Sequence, residues 1–289
     1  MRLEAFAKIN WSLDITGVRE DGYHLMDMLM QPISLADEIS VKPAESLRLT
    51  TGGYPPVRPD NHNLILRAAR ALQEITGCTL GAEMHLQKRI PVGAGLGGGS
   101  ADAAATLAGL NRLWGTGLSS AELEKLGLTL GADIPFCLRG GLTRTRGIGE
   151  DLESHPCRSS FWLIVIQPCR GLSTGSVFSA WHAAGSQAHP KTEEALAALE
   201  KGDLDALCSS VSNVLQPISE AMRPAIGESV RALKTSGALT ALMTGSGSAV
   251  FGVFRNPRIA KQAHEALSRR WRSCFLCHTQ QDSFRMTED

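Results

Sequence analysis

Residues 91–101 read Pro-Val-Gly-Ala-Gly-Leu-Gly-Gly-Gly-Ser-Ala, with five glycines in the seven positions from Gly93 to Gly99. An alanine- and leucine-rich run follows directly. Glycine at this density lets the backbone take positive φ and lets a ligand touch the main chain. Ser100 is a candidate N-cap, the run from Ala101 to Leu107 is a good helix start, and Asp102 falls in its first turn. A glycine loop feeding a helix N-terminus presents unpaired N–H groups and the positive end of the helix dipole. The stretch therefore predicts an anion site, best suited to phosphate. Glycines that merely permit tight packing are the plain alternative, and five at one helix start argue against it.

The 289 residues fit one large or two ordinary domains. At 43% hydrophobic and 20% charged, the chain can bury a sizeable core. Lys+Arg and Asp+Glu both number 29 and no long basic run occurs, so nucleic acid and anionic membranes are poor partners. No apolar stretch approaches the ~20 residues of a membrane span. Lys8 and Asn10 interrupt any signal-peptide core behind Met1. Seven irregularly spaced cysteines then read as reduced thiols in a cytoplasmic protein.

From Leu3 to Ile15 every odd position is apolar, while Lys8, Asn10, Ser12 and Asp14 fall between. Period two predicts a half-buried strand, broken once. A polar turn covers 17–22, and 25–34 is apolar and of undecided type. Short strands are expected at 37–42 and 46–51, a loop at 52–63, a helix at 64–75 between Asn63 and Gly77, and an alternating strand at 82–88. Beyond the glycine loop, helices are expected to about 114 and over 121–130. A strand is expected at 140–147 and another at 160–166, then a loop-rich stretch at 170–191. Helices follow at 192–200, 203–213 and 217–235. Strands at 238–243 and 249–254, a helix at 257–271 and a strand at 273–278 precede a frayed tail. Helices and strands mix without strict βαβ alternation, which favours α+β.

Gly93-x-Gly95-x-x-Gly98 also matches a dinucleotide fingerprint. Pro91 stands where the strand should enter the turn, and Glu122 and Glu124, at about the right distance, lie in a helix pattern. A Walker loop is excluded, because no lysine follows a glycine. Asp133 lies past a helix and before Ile134-Pro135, which predicts extended geometry there; a turn residue and a functional carboxylate stay equally open. Lys8, opposite the apolar face, reads by default as a solvated strand lysine. Cys274-Phe-Leu-Cys-His278 spells a haem-attachment pattern but reads better as a terminal strand with buried cysteines. No second ligand pair suggests zinc, and Gly245-Ser-Gly-Ser248 lacks the partners of a serine hydrolase.

Taken together, these motifs resemble the GHMP kinases. The loop from Pro91 to Ala101 is similar to their ATP loop. Ala7-Lys8-Ile9-Asn10, Asp21-Gly22-Tyr23-His24, Asn63-Leu64-Ile65, Gly131-Ala-Asp-Ile-Pro-Phe136, Gly147-Ile-Gly-Glu150 and Thr244-Gly-Ser-Gly247 extend the likeness over about residues 5–255. Gly22-Tyr23-His24 beside Ala7–Asn10 resembles the branch that phosphorylates a cytidylyl alcohol. The resemblance implies an α+β, two-domain architecture, with a ribosomal protein S5-like N-terminal domain in 1–155, a ferredoxin-like C-terminal domain in 156–289 and the site between them. It implies ATP-dependent phosphorylation of the 2-hydroxyl of 4-diphosphocytidyl-2-C-methyl-D-erythritol, in non-mevalonate isoprenoid precursor biosynthesis, with ATP and Mg²⁺ as cofactors.

The resemblance also implies roles. Pro91, Val92, Gly93, Ala94, Gly95, Leu96, Gly97, Gly98, Gly99, Ser100 and Ala101 would wrap the triphosphate, with Ser100 a candidate Mg²⁺ ligand and Asn63 near the adenosine. Asp133 would be the general base, with Lys8 beside it to keep it ionised. Tyr23 and Phe178 would sandwich the cytosine, His24 would read its polar edge, and Asn10 and Thr174 would contact substrate. The expected partners are the cytidylyl substrate and ATP, with the chain a monomer or homodimer. Two departures stand out. Asn213-Val-Leu-Gln-Pro217 lacks the two carboxylates usual there, with an effect expected on packing or the substrate lobe rather than chemistry, and the tail from Cys274 lacks the usual Pro-Leu.

Overall fold

A computed structural model describes residues 1–20, 22–185 and 189–288. The elements run β1 (Arg2–Val18), β2 (His24–Ala44), β3 (Arg48–Gly53), α1 (Leu64–Thr76), β4 (Gly81–Lys88), α2 (Gly98–Trp114), α3 (Ser120–Leu130), α4 (Ile134–Arg139), β5 (Leu142–Gly147) and β6 (Asp151–His155). They continue β7 (Trp162–Ile166), α5 (Thr174–Ala184), α6 (Thr192–Lys201), α7 (Leu204–Ser210), α8 (Gln216–Met222), α9 (Pro224–Thr235), β8 (Thr240–Met243), β9 (Val250–Phe254), α10 (Pro257–Leu267), β10 (Cys274–His278) and β11 (Phe284–Thr287).

Two sheets organise the α+β fold. The first runs β11-β1-β2-β4-β3, with β5 on β2 and β6 on β5; β3 and β4 are parallel and joined through α1. The second runs β10-β7-β9-β8, all antiparallel. In its own strand order that is 4-1-3-2, with helices between its first and second and its third and fourth strands, the ferredoxin-like arrangement expected.

β1 is one strand, but it does not keep one face inward. Leu3, Ala5, Leu13 and Ile15 pack in one core, and Ala7, Ile9 and Trp11 in another. Register with β2 shifts between Phe6 and Lys8, Asn10 and Ser12, and Ile15 and Gly17. The first shift leaves two extra residues on β2 and the other two leave one extra residue each on β1, and with these irregularities a regular period two in sequence becomes three segments in space. The middle segment meets the second sheet. Trp11 lies edge-on to Phe161 and Phe251, at 5.5 and 5.4 Å between ring centroids. Lys8 and Asn10 thereby turn inward, 4% and 1% exposed, instead of reaching solvent.

Several local expectations change. The apolar stretch 25–34 is part of the 21-residue β2, which pairs β5 at one end and β4 at the other. Gly97, in the left-handed region, caps α2; Ser100 is its third residue and Asp102 its fifth, which is buried. Residues 134–139 are helical, not extended: Pro135 sits in the first turn, where its missing N–H is not needed. Thr174–Ala184 is helix where loop was expected. The helix expected at 217–235 divides at Pro224, which opens α9. β6 was not anticipated. The tail returns as β11, pairing Arg2 with Thr287 through Ala5 with Phe284 and covering the edge of β1. β10 buries Cys274 and Cys277, as the strand reading requires, and burial pushes both thiols up to about 12. Among the described residues no helix is long and apolar enough to cross a membrane.

Candidate functional site

A cavity of about 950 Å³ opens between the two sheets. Its lining includes Lys8 and Asn10 from β1, Gly22, Tyr23 and His24 at the entry to β2, Asn63 at the cap of α1, and the glycine loop from Pro91 to Ser100. Asp133, Thr174, Phe178 and the turn Gly245–Gly247 line it too. Two expected residues fall outside: Ala101 is 1% exposed in the core, and Asp21 lies outside the described residues.

The loop's shape is written in its glycines. Gly95 (φ 79°) passes so close to Thr244 that a Cβ would sit 2.2 Å from its carbonyl oxygen. Gly97 (φ 67°) would place one 2.9 Å from Lys8 Cγ. Main-chain bonds fix the rest: Lys8 N–H donates to Leu96 O at 3.0 Å and Ala249 N–H to Ala94 O at 3.0 Å. Ala101 N–H makes the first helical bond, to Gly97 O at 2.8 Å, so the N–H groups of Gly98, Gly99 and Ser100 precede the ladder at the cavity wall. α2 is buried from Gly98 through Leu110 except Gly99 and Ser100. An apolar helix of this kind fixes its N-terminus firmly and aims its dipole at the cavity.

At the mouth of the loop, Lys8 Nζ stands 3.7 Å from Asp133 Oδ2. The lysine side chain is 5% exposed and the aspartate 35%, so the carboxylate is the wetter partner. Asp133 occupies the N-cap position of α4 without making a side-chain cap, which leaves its oxygens for the cavity. Lys8 Nζ also donates to Asn10 Oδ1 at 2.7 Å. The same oxygen accepts from Thr244 Oγ1 at 3.1 Å and Gly245 N at 3.0 Å, and Asn10 Nδ2 donates to Met28 Sδ. Asn10 therefore lines the cavity while its amide ties β1 to the second glycine turn. Below this pair Cys137 is fully enclosed; burial, and then Asp133, pushes its thiol up, so it is no nucleophile.

At the other end the walls are aromatic. His24 and Phe178 approach to 4.6 Å between centroids, tilted by 38°, and Trp181 stands edge-on to His24 at 6.1 Å. Tyr23 is 62% exposed at the rim. Burial, and then His182, lowers the His24 pKa, which favours the uncharged imidazole. Its buried Nε2 has no hydrogen-bond partner among the described residues. Thr174 and Ser246 hydroxyls are 3.1 Å apart. Asn63 caps α1 by accepting from Ile65 N at 3.0 Å. Asn213 donates to Met243 O and Gly245 O, and Gln216 Oε1 accepts from Met243 N, so that segment supports the second glycine turn.

Lys88 and Asp102 also line the cavity, and neither was anticipated as functional. The signal was present. Ala82, Met84, Leu86 and Lys88 share the buried phase of β4, and a lysine on an apolar phase needs buried partners. Its partners are Asp37 and Asp102. Burial opposes the Lys88 charge, but Asp102 and Asp37 outweigh it and raise its pKa. Burial pushes Asp102 up to about 7, with Asp37 reinforcing and Lys88 opposing. Among the described residues no group of three or more histidine, cysteine, aspartate or glutamate side chains could hold a metal ion.

Comparison with known proteins agrees along most of the chain. Residues 63–141 match the GHMP kinases N terminal domain and residues 195–273 the GHMP kinases C terminal. The 4-diphosphocytidyl-2-C-methyl-D-erythritol kinase of Alkaliphilus metalliredigens is 39% identical over 93% of this chain and 92% of its own. That of Pelotomaculum thermopropionicum is 42% identical over 89% of this chain and 90% of its own. A crystal structure of 4-(cytidine 5'-diphospho)-2C-methyl-D-erythritol kinase superposes with a TM-score of 0.83 at 35% identity, covering 96% of this chain and 99% of that one. Homoserine kinase from Cytophaga hutchinsonii, at 18% identity and a TM-score of 0.75, shares the fold.

Proposed function

The chain belongs to the GHMP kinases, within the family of 4-diphosphocytidyl-2-C-methyl-D-erythritol kinases, and on that premise we propose that it phosphorylates the 2-hydroxyl of 4-diphosphocytidyl-2-C-methyl-D-erythritol with ATP. The products are the 2-phosphate and ADP. The observation that carries this reading is one cavity lined by a glycine loop at a helix N-terminus, by a lysine–aspartate pair 3.7 Å apart, and by aromatic side chains.

Phosphoryl transfer asks for positioning, charge stabilisation and an oriented nucleophile. The N–H groups of Gly98, Gly99 and Ser100 and the α2 dipole hold the triphosphate. The substrate 2-hydroxyl stands between Asp133 and the γ-phosphorus. Its oxygen forms a bond to that phosphorus, its proton passes to the Asp133 carboxylate, and the bond to the β–γ bridging oxygen breaks with ADP leaving. Lys8, held by Asn10, stabilises the charge on the attacking oxygen. Mg²⁺ fits here as a charge neutraliser on the triphosphate: Ser100 carries the one hydroxyl in the loop 91–101, lines the cavity and is a hard oxygen donor.

At the far end Tyr23 and Phe178 flank the cytosine, and His24 reads its polar edge. In this reading residues 1–155 carry ATP, and residues 156–289 supply Thr174 and Phe178 to the substrate side. ADP release from purified protein with ATP, Mg²⁺ and this alcohol is the direct test. Turnover of homoserine or mevalonate in its place would overturn the substrate assignment. Asp133→Asn is expected to lower kcat by about 10²–10⁴-fold with ATP affinity nearly unchanged; a variant keeping most of its kcat would remove Asp133 from the base role.

A further inference from the structure

The buried charges beneath the glycine loop form a chain across its base. Asp37, at the bend of β2, is fully buried. Its Oδ1 accepts from the main-chain N–H of Arg89 at 2.5 Å and of Ile90 at 2.8 Å, the two residues that lead into the loop. Its Oδ2 accepts from Lys88 Nζ at 2.5 Å. The same Nζ donates to Asp102 Oδ2 at 2.7 Å, and Asp102 lies on α2, the helix that the loop enters. Strand exit and helix entry, the two ends of a seven-residue arc from Pro91 to Gly97, are thus joined through three side chains. The lysine side chain is 3% exposed, and those of Asp37 and Asp102 0% and 6%.

Burying two carboxylates and one ammonium is costly, and such a group is weak support for stability by itself. Its geometry serves something else. Lys88 is a cation lining the cavity where the triphosphate is proposed to lie, yet it directs two of its three donors to carboxylates. It is not free to act as the phosphate-binding lysine that a Walker loop employs. We propose that Asp37, Lys88 and Asp102 form a clamp that presets the glycine loop for the triphosphate, with Lys88 and Asp102 as positioning residues rather than phosphate ligands. Affinity for the anion then rests on main-chain N–H groups, and those groups are useful only if the loop ends are held at a fixed separation. The proposal rests on the reading of the loop as an ATP site, and not on which alcohol is phosphorylated.

The test removes the link to α2. Asp102→Ala frees Lys88 from one carboxylate and cuts the tether; Asp102→Asn keeps an oxygen that can accept from Lys88. ATP dissociation constants by calorimetry and KM values for both substrates are measured for the wild type and each variant, with melting temperature as the check on folding. The clamp predicts that Asp102→Ala raises the Kd and KM for ATP by tenfold or more, moves the KM of the alcohol less than twofold, and that Asp102→Asn restores ATP affinity to within threefold. If Asp102→Ala does not fold, Asp102→Ser, whose hydroxyl is too short to span to Lys88, is expected to show the same split. A Kd for ATP that falls would mean that the freed Lys88 binds phosphate directly, and would overturn the clamp. So would a Kd within twofold of wild type, or equal rises in both KM values. A wild-type chain that neither binds nor consumes ATP would overturn the ATP-site reading and the clamp with it, whereas active wild type with an indifferent Asp102→Ala would overturn the clamp alone.

Discussion

The two ends of the cavity are built from different materials. The end proposed to take the triphosphate is main chain: glycines at positive φ, N–H groups ahead of a helical ladder, and a helix buried along most of its length. Its charged side chains, Lys88, Asp37 and Asp102, are spent on one another. The end proposed to take the acceptor is side chain: His24 from β2 against Phe178 of α5, Trp181 edge-on, and Tyr23, just ahead of β2, exposed at the rim. Lys8 and Asp133 stand where the two ends meet. A triphosphate offers the same oxygens in every ATP-using enzyme, so backbone suffices to hold it. A base offers a flat face and a patterned edge, and only particular side chains can distinguish it.

That contrast can be broken by substitution. The largest effect on the phosphate end is expected from Lys88→Met, which leaves two buried carboxylates without their cation and should cost about 3–5 kcal/mol of stability, measured by urea unfolding. A loss below about 1 kcal/mol would mean that the triad is not buried as described. At the acceptor end the expected effect is smaller and falls on binding. Tyr23→Ala should raise the KM of the cytidylyl alcohol by the equivalent of about 1–3 kcal/mol while leaving that of ATP nearly unchanged. Equal effects on both substrates would erase the distinction between the two ends.

The smallest effect concerns pH. His24 has a folded pKa below its ordinary 6.5, through burial and then His182. Below that value the unfolded chain takes a proton that the fold resists, so this contribution to stability is complete at higher pH and is lost as pH falls. Melting temperature against pH should decline less steeply below about 6.5 in His24→Gln than in the wild type. Superimposable profiles would show that His24 is not enclosed at the acceptor end.

The two lysines of the cavity show how far sequence reasoning reaches. Both are buried. Lys88 was detectable from alternation, because it stands on the apolar phase of β4. Lys8 was not, since it stands off the apolar phase of β1 and reads as solvated. Bulges on either side of it, and a second sheet packed on the strand, turn it inward. Pro135 misled in the opposite direction: its local bias is real, but the first turn of α4 absorbs it.

By itself the sequence determined what is local. The glycines of residues 93–99 and the helix behind them specify a loop of positive φ that opens onto a helix N-terminus, because both are properties of adjacent residues. The cap of α1 was equally legible, since Asn63 completes it within two residues. Only the tertiary structure decided what depends on distant segments meeting: Phe178 beside His24, the tail closing β1, and the charge chain from Asp37 through Lys88 to Asp102. Those contacts span 154 residues in the first case and 51 in the step from Asp37 to Lys88. No periodicity or turn signal operates over such separations; packing of the two sheets against one another is what brings them together.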